Sequence, residues 1–272
     1  MDKTWKKSSV EIEGNTLEFI EKGNGETVIC LHAIPGSYND YSGVLDALST
    51  SHRLIAVAWP GYGVDPTPLA KMDLTSPIYF ASLFQQFLQK LDIKKAIIIG
   101  NSVGGYVAIR AALDKPEIVR GIVLINTAGF TKHNFLSRFF CRLKGTYWGT
   151  RILTYPLALA YLRKRNPIVQ GMLNRAKSIF FNPRLIELEA KMWLAFLRKD
   201  SDLTSLVRDL RVPTLLFWGK KDIILPWWTD GKSCAKAILH AKLVLMNTGH
   251  APHAEAPEKF IQEVQGFLKS IE

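Results

Sequence analysis

Three residues that lie far apart in this 272-residue chain have the types and settings that acyl chemistry needs: Ser102, Asp222 and His250. Ser102 sits in "GNSVGG" (100–105), a Gly-x-Ser-x-Gly arrangement between the apolar run "KAIII" and the Ala-rich "GYVAIRAAL". A serine at such a strand-to-helix junction presents its hydroxyl above the strand end, and flanking glycines remove side chains that would collide in so sharp a turn. The start of the following helix adds positive potential and free N–H groups. A hydroxyl is a poor nucleophile at neutral pH, so it needs a base and a group that orients the base. "LLFWGKKDIILP" puts Asp222 three residues past the Gly219 that ends an apolar run, and "LVLMNTGHAPHAEAPE" puts His250 just after the next run. The chemistry implied is two-step acyl transfer. His250 takes the Ser102 proton, Ser102 attacks a carbonyl, and a water activated by His250 releases the acyl group. That scheme calls for no metal and no organic cofactor.

These residues need a frame that gathers them at one edge. "TVICLH" (27–32), "RLIAVAW" (53–59), "KAIIIG" (95–100), "GIVLIN" (121–126), "PTLLFWG" (213–219) and "AKLVLMN" (241–247) are short continuous apolar runs, as expected of strands covered on both faces. "SVEIEG" and "TLEFIEKG" alternate apolar and polar residues around Gly14-Asn15, which reads as a hairpin of two half-buried strands. Helical patterns lie between the runs, among them "SPIYFASLFQQFLQKLDI", "GYVAIRAALDKP" and "APEKFIQEVQGFLKSI". Strand then helix, repeated, predicts an α/β fold: a mostly parallel sheet with helices on both faces. The chain order Ser102, Asp222, His250 then places the three on successive loops at the C-terminal edge of that sheet. About 85 residues separate "GIVLIN" from "PTLLFWG", far beyond an ordinary loop, and they contain "NFLSRFFCRLKG" and "RLIELEAKMWLAFLRKD". The expected organisation is a core of residues 1–126 and 211–272 with a helical insertion over 127–210.

Composition bounds the setting. A hydrophobic content of 47% suits a soluble globular domain. "MDKTWKKSSVEIEG" has no apolar export segment, and the longest apolar stretch, "ILTYPLALAYL" (152–162), is too short to span a bilayer. Cys30, Cys141 and Cys234 are odd in number and widely spaced, so neither a disulfide framework nor a zinc cluster is indicated, and a reducing cytoplasm is expected. The net charge of +11 is concentrated: residues 127–210 hold 15 Lys/Arg against 5 Asp/Glu, while the rest holds 20 against 19. No nucleic-acid recognition motif accompanies that excess, so an anionic membrane surface or an acidic substrate is the better partner for it. On a helix, Phe135, Leu136, Phe139, Phe140 and Leu143 recur at three- and four-residue spacing with Lys132, Arg138, Arg142 and Lys144 around them. Such a helix suits either a pocket cover or peripheral contact with an anionic bilayer.

The motifs together resemble the α/β-hydrolase fold superfamily, in its cap-bearing branch. The resemblance covers nearly the whole chain and rests on "HAIPG", "WPGYG", "GNSVGG", "GKKDIILP" and "GHAPHAEAP". It implies an eight-stranded, mostly parallel sheet, with residues 127–210 as the inserted helical cap. It also implies that the backbone N–H groups of Ile34 and Val103 meet the developing oxyanion. Ala33 stands where the family has glycine in a His-Gly-x-Pro-Gly loop, and Ala58 where relatives commonly have aspartate; His32 is expected to brace the first of these loops. Ser102 occupies the place of the aspartate nucleophile of dehalogenases and epoxide hydrolases, which turns the expectation away from those reactions. His253 and Glu255 follow the histidine loop and either help to hold it or cap the final helix before Pro257, the second being the expectation. Within the insertion, Phe135, Phe139, Tyr147, Trp148 and Trp193 are expected to line a small-molecule substrate pocket for an apolar or aromatic acyl group. The reading is a serine hydrolase of carboxylic esters. The alternatives are a carbon-carbon bond hydrolase of the meta-cleavage type, whose dicarboxylate substrate a basic cap could hold, and a hydrolase-shaped ligand receptor. The sequence gives no oligomeric state.

Overall fold

The computed structural model describes residues 5–63 and 70–271; the first four residues of the charged N-terminus lie outside them. Eight strands form one sheet: β1 (Lys6–Ile12), β2 (Asn15–Lys22), β3 (Thr27–Leu31), β4 (Arg53–Val57), β5 (Ala96–Asn101), β6 (Val119–Ile125), β7 (Thr214–Gly219) and β8 (Lys242–Met246). Their order is β1-β2-β4-β3-β5-β6-β7-β8. β2 pairs antiparallel with β1 and β4, and every other pairing is parallel. The predicted hairpin is β1–β2, with its turn one residue earlier than expected, at Glu13 and Gly14, both at positive φ.

Five of the six apolar runs become strands with both faces covered, and the sixth, β8 at the sheet edge, leaves Lys242 and Leu243 exposed. In β3, Ile29 and Leu31 join one core with Phe80, Phe84 and Tyr106, whereas Val28 and Cys30 join the other with Tyr41, Leu45 and Phe260. The first face packs under α2 (Pro77–Lys90) and α3 (Val103–Asp114), and α8 (Lys232–Ala237) adds Cys234. The second packs under α1 (Ser42–Leu48) and α10 (Pro257–Ile271).

Between β6 and β7 run four further helices: α4 (Phe135–Lys144), α5 (Tyr147–Tyr161), α6 (Pro167–Ile179) and α7 (Pro183–Ala195). Their starts are written locally. Asn166-Pro167 and Asn182-Pro183 pair a side-chain cap with a proline at the first helical position, as Ser76-Pro77 does for α2. Pro156 lies inside α5, where it removes one backbone donor without ending the helix. Ala158, Leu162, Val169 and Leu173 of α5, its C-terminal end and α6 pack on Ala251 and Ala254 beside α9 (Pro252–Glu255), which ties these helices to the loop after β8. Among the described residues no helix is long and apolar enough to cross a membrane, and all three cysteines are free and buried.

Candidate active site

Ser102 closes β5 and opens α3 at φ 54°, a left-handed conformation that non-glycine residues rarely adopt. The turn is held from several sides. The Ser102 N–H donates to the Ile125 carbonyl (3.0 Å), and the Ser102 carbonyl accepts from Gly105, Tyr106 and Ala128. A side chain at Gly100 would overlap the Gly104 backbone, and one at Gly104 would overlap the Leu31 carbonyl, so the Gly-x-Ser-x-Gly spacing is a packing requirement. The Ser102 hydroxyl has no hydrogen-bond partner among the described residues and lines a cavity of about 800 Å³, within the range usual for small-molecule sites.

His250 lines the same cavity. Its Nδ1–H donates to Asp222 Oδ2 at 2.6 Å, which leaves Nε2 as the free base nitrogen. Asp222 is fixed in turn. Its Oδ1 accepts from the backbone N–H groups of Ile224 (2.8 Å) and Leu225 (3.2 Å), and its Oδ2 from the Asn126 side-chain amide (2.5 Å). Asn126, at positive φ, also accepts from the Gly219 N–H through its Oδ1 (3.0 Å), so one side chain spans the ends of β6 and β7. The Asn101 amide donates to the Ile125 carbonyl (3.0 Å) and to the His250 carbonyl (3.1 Å), which ties the residue before Ser102 to the histidine loop. The structure thus joins His250 to Asp222 directly. It brings Ser102 to the same cavity without a hydrogen bond to His250.

Glu255 carries more than a helix cap. Buried, it accepts from the N–H groups of Gly249 and Ala251 on the histidine loop and from Arg163 and Lys164 just after α5. His253 stacks on Tyr41 with ring centroids 4.4 Å apart, and burial lowers its pKa to about 3. The bonds to Gly249 and Ala251 are local to the histidine loop, whereas Arg163, Lys164 and Tyr41 are distant in the chain and carried no sequence signal.

On the other side of Ser102, the N–H of Val103 starts α3 and that of Ile34 lies in the loop after β3; neither has a protein acceptor among the described residues. Both Ile34 and Ser102 line the cavity. Ala33 is not among the residues at positive φ, so alanine causes no left-handed strain there. The loop is braced by His32. Its Nε2 accepts from the Trp59 N–H (3.1 Å), so Nδ1 carries the proton and donates to the Ala33 carbonyl (2.6 Å). Burial holds His32 neutral, with its pKa lowered to about 3. The Trp59 indole N–H adds a bond to the His32 carbonyl (2.9 Å), so Trp59 organises this loop beside Ala58, which offers no carboxylate.

The expected aromatic lining needs correction. Trp193 lines the cavity, joined by Phe140 and Phe196, but Phe135, Phe139, Tyr147 and Trp148 do not. These four face outward, with Phe135 86% and Trp148 63% exposed. α4 turns its Phe140, Cys141 and Lys144 side to the cavity and most of its aromatic stripe away. Among the described residues no cluster of side chains could hold a metal ion.

A sequence model described as the alpha/beta hydrolase fold matches residues 26–257. The chain belongs to the α/β-hydrolase fold family. Among relatives of this α/β-hydrolase, a protein described as an uncharacterized hydrolase, YugF of Bacillus subtilis strain 168, is 25% identical over 93% of both chains. Solved structures with the same fold include a bromoperoxidase from Bacillus anthracis (TM-score 0.82, 17% identity, 97% of this chain and 100% of that one). A thermophilic esterase from Thermogutta terrifontis is another (TM-score 0.78, 20% identity, 98% and 99%).

Proposed function

We propose that this enzyme of the α/β-hydrolase family cleaves carboxylic esters with apolar acyl chains. In this reading Ser102 is the nucleophile, His250 the general base and Asp222 its orienter, and the Ile34 and Val103 N–H groups receive the oxyanion. The observation that carries it is the meeting, at one cavity, of an unpartnered Ser102 hydroxyl and a His250 ring whose Nδ1–H is committed to Asp222. Each oxyanion donor of this kind contributes about 3 to 4 kcal/mol of barrier lowering in acyl transfer. The helices over 127–210 act as the cap, and Leu136, Phe140, Trp193 and Phe196 with Ile224 and Leu225 make the acyl pocket apolar. The esterase among the structural neighbours supports this choice. The test is a screen of p-nitrophenyl esters of graded acyl length, run beside Ser102→Ala. Hydrolysis by the wild type that disappears in the variant is expected; an equal rate in both would refute the assignment.

In the carbon-carbon bond alternative a dicarboxylate substrate would meet Glu189 and Asp230 on a cavity wall that also carries Lys132, Arg138, Lys144, Arg198 and Lys199. A ring-fission dienoate in the same screen should keep its absorbance. A cytoplasmic setting accords with three free thiols.

A second reading concerns the outer face of the cap. Phe135, Phe139, Trp148, Ile152 and Phe181 are exposed there, with Arg142 on α4 and Arg151 packed between the Trp148 and Phe180 rings. Exposed aromatics among arginines suit the headgroup region of an anionic bilayer. Co-sedimentation with vesicles should rise with phosphatidylserine content and fall in Phe135→Ser/Phe139→Ser; binding indifferent to lipid charge would remove this contact.

A further inference from the structure

The cavity that holds Ser102 and His250 also reaches a polar cluster built from three cap helices: Lys144 at the end of α4, Thr154 in α5 and Glu189 in α7. Both charged side chains are out of water, Lys144 at 2% and Glu189 at 0% exposure. Burying an ion pair costs several kcal/mol per ion before the mutual attraction is counted, and apolar residues of similar volume would fasten these helices as well. Helix packing alone therefore does not account for the pair.

Its bonding is incomplete. An ammonium has three N–H donors. Lys144 Nζ donates one to Thr154 Oγ1 and stands 3.7 Å from Glu189 Oε2, beyond a good hydrogen bond, with the Trp193 ring centroid 5.7 Å away. Glu189 accepts from Tyr62 Oη at 3.3 Å, and its other oxygen lies 3.3 Å from Thr154 Oγ1. The single Thr154 proton has a closer acceptor in the Thr150 carbonyl at 2.7 Å. Tyr161 stands near both ends of this arrangement. Its ring lies edge-on to His250 with centroids 5.4 Å apart, it lines the cavity, and its hydroxyl has no hydrogen-bond partner among the described residues. Burial, then the charges of Glu189 and Asp222, push its pKa up, so it remains an O–H donor at neutral pH.

The geometry points to a second, polar subsite in which Lys144 Nζ and the Tyr161 hydroxyl donate to a neutral oxygen, a ketone or hydroxyl, carried by the acyl chain away from the scissile carbonyl. The subsite rests on the Ser102 reading for the other end of the substrate. A neutral acceptor fits where a carboxylate does not, because Glu189 already supplies the negative charge beside Lys144 and a second one would repel it. The preferred substrates are accordingly esters whose otherwise apolar acyl chain carries one neutral oxygen, ahead of plain chains and of dicarboxylic ones.

The test compares p-nitrophenyl esters of one chain length in which a ketone replaces the methylene at successive positions. At one position kcat/KM should exceed that of the parent ester about tenfold, the value of one added hydrogen bond to a charged donor. Lys144→Met/Glu189→Gln removes both charges together, so neither is left unpaired, and should bring that ratio to about one; Tyr161→Phe should lower it severalfold. Each ratio is read within a single preparation, so partial loss of folding cancels. A wild-type ratio near one at every position, or a ratio unchanged in the double variant, overturns the subsite. A preference for a carboxylate-ended chain overturns the choice of a neutral oxygen. Calorimetric binding of the matching N-methyl amides to Ser102→Ala reads the same selectivity without turnover. Tighter binding of the oxo-amide with no ester hydrolysis would leave the subsite standing and remove the esterase reading.

Discussion

Asp222 at the sheet edge and Glu189 in the helices between β6 and β7 are both buried carboxylates, and they are held in opposite ways. Asp222 accepts four close bonds, from Asn126, His250, Ile224 and Leu225, at 2.5 to 3.2 Å. Glu189 has two hydroxyls at 3.3 Å and an ammonium at 3.7 Å, and burial raises its pKa. A carboxylate already saturated by its own protein is preorganised and can fix an imidazole in one orientation without rearranging. One left short of partners does not saturate the ammonium beside it, and Lys144 keeps N–H capacity for a ligand oxygen. In the proposed function the strand edge carries the chemistry and the helices between β6 and β7 the selectivity.

The largest effect should come from breaking the saturated side. Asp222→Asn would replace the acceptor that fixes the His250 tautomer, and kcat on a p-nitrophenyl ester should fall about ten-thousand-fold. Asn126→Ala removes one bond to the same carboxylate and the clamp between β6 and β7. We expect kcat to drop about ten- to a hundredfold with KM little changed. An unaltered kcat would mean that the Asn126 bond does not position Asp222 for the reaction.

The core side also sets the response to acid. His32 and His253 stay neutral in the fold down to about pH 3, whereas in the unfolded chain each takes up a proton below about pH 6.5. The unfolded state binds more protons in that window, so stability falls as pH falls through it. Between pH 7 and pH 5 the loss should be on the order of 2 kcal/mol per histidine, measured by denaturant unfolding. His253→Phe, which keeps a flat ring against Tyr41, should lessen the acid sensitivity.

The smallest effects separate the two faces of the cap. Trp193→Ala should lower kcat/KM on medium-chain esters about five- to tenfold by emptying part of the acyl pocket. Phe139→Ser on the outward face should stay within about twofold on soluble esters. Equal losses in the two variants would mean that the outward aromatics also reach the substrate.

The same contrast explains what could be read from the sequence. The alternating apolar runs gave the strands, since a strand covered on both faces must be apolar throughout. The serine turn was legible because its crowding demands Gly100 and Gly104 in fixed places. Asp222 and His250 followed from their position after successive strands. Asn101 and Asn126 were not legible as positioning residues, because each acts on partners brought near only by the fold, and of Glu255 only the hold on its own loop was open to a sequence reading. The cap aromatics misled for a different reason. Amphipathic spacing over 135–143 marks a face of α4 but not the direction in which it points, and the packing of Phe140 against Trp193 turns that face outward. Lys144 and Glu189, 45 positions apart, carry no local sign that they will meet.

The most direct test of the central claim is labelling with a fluorophosphonate, which reacts only with an activated serine, followed by peptide mass mapping. The account predicts one adduct per chain, on Ser102 within the tryptic peptide 96–110, lost in Ser102→Ala and strongly slowed in Asp222→Asn. A wild-type protein that takes up no label, or a Ser102→Ala variant that labels as the wild type does, would contradict it.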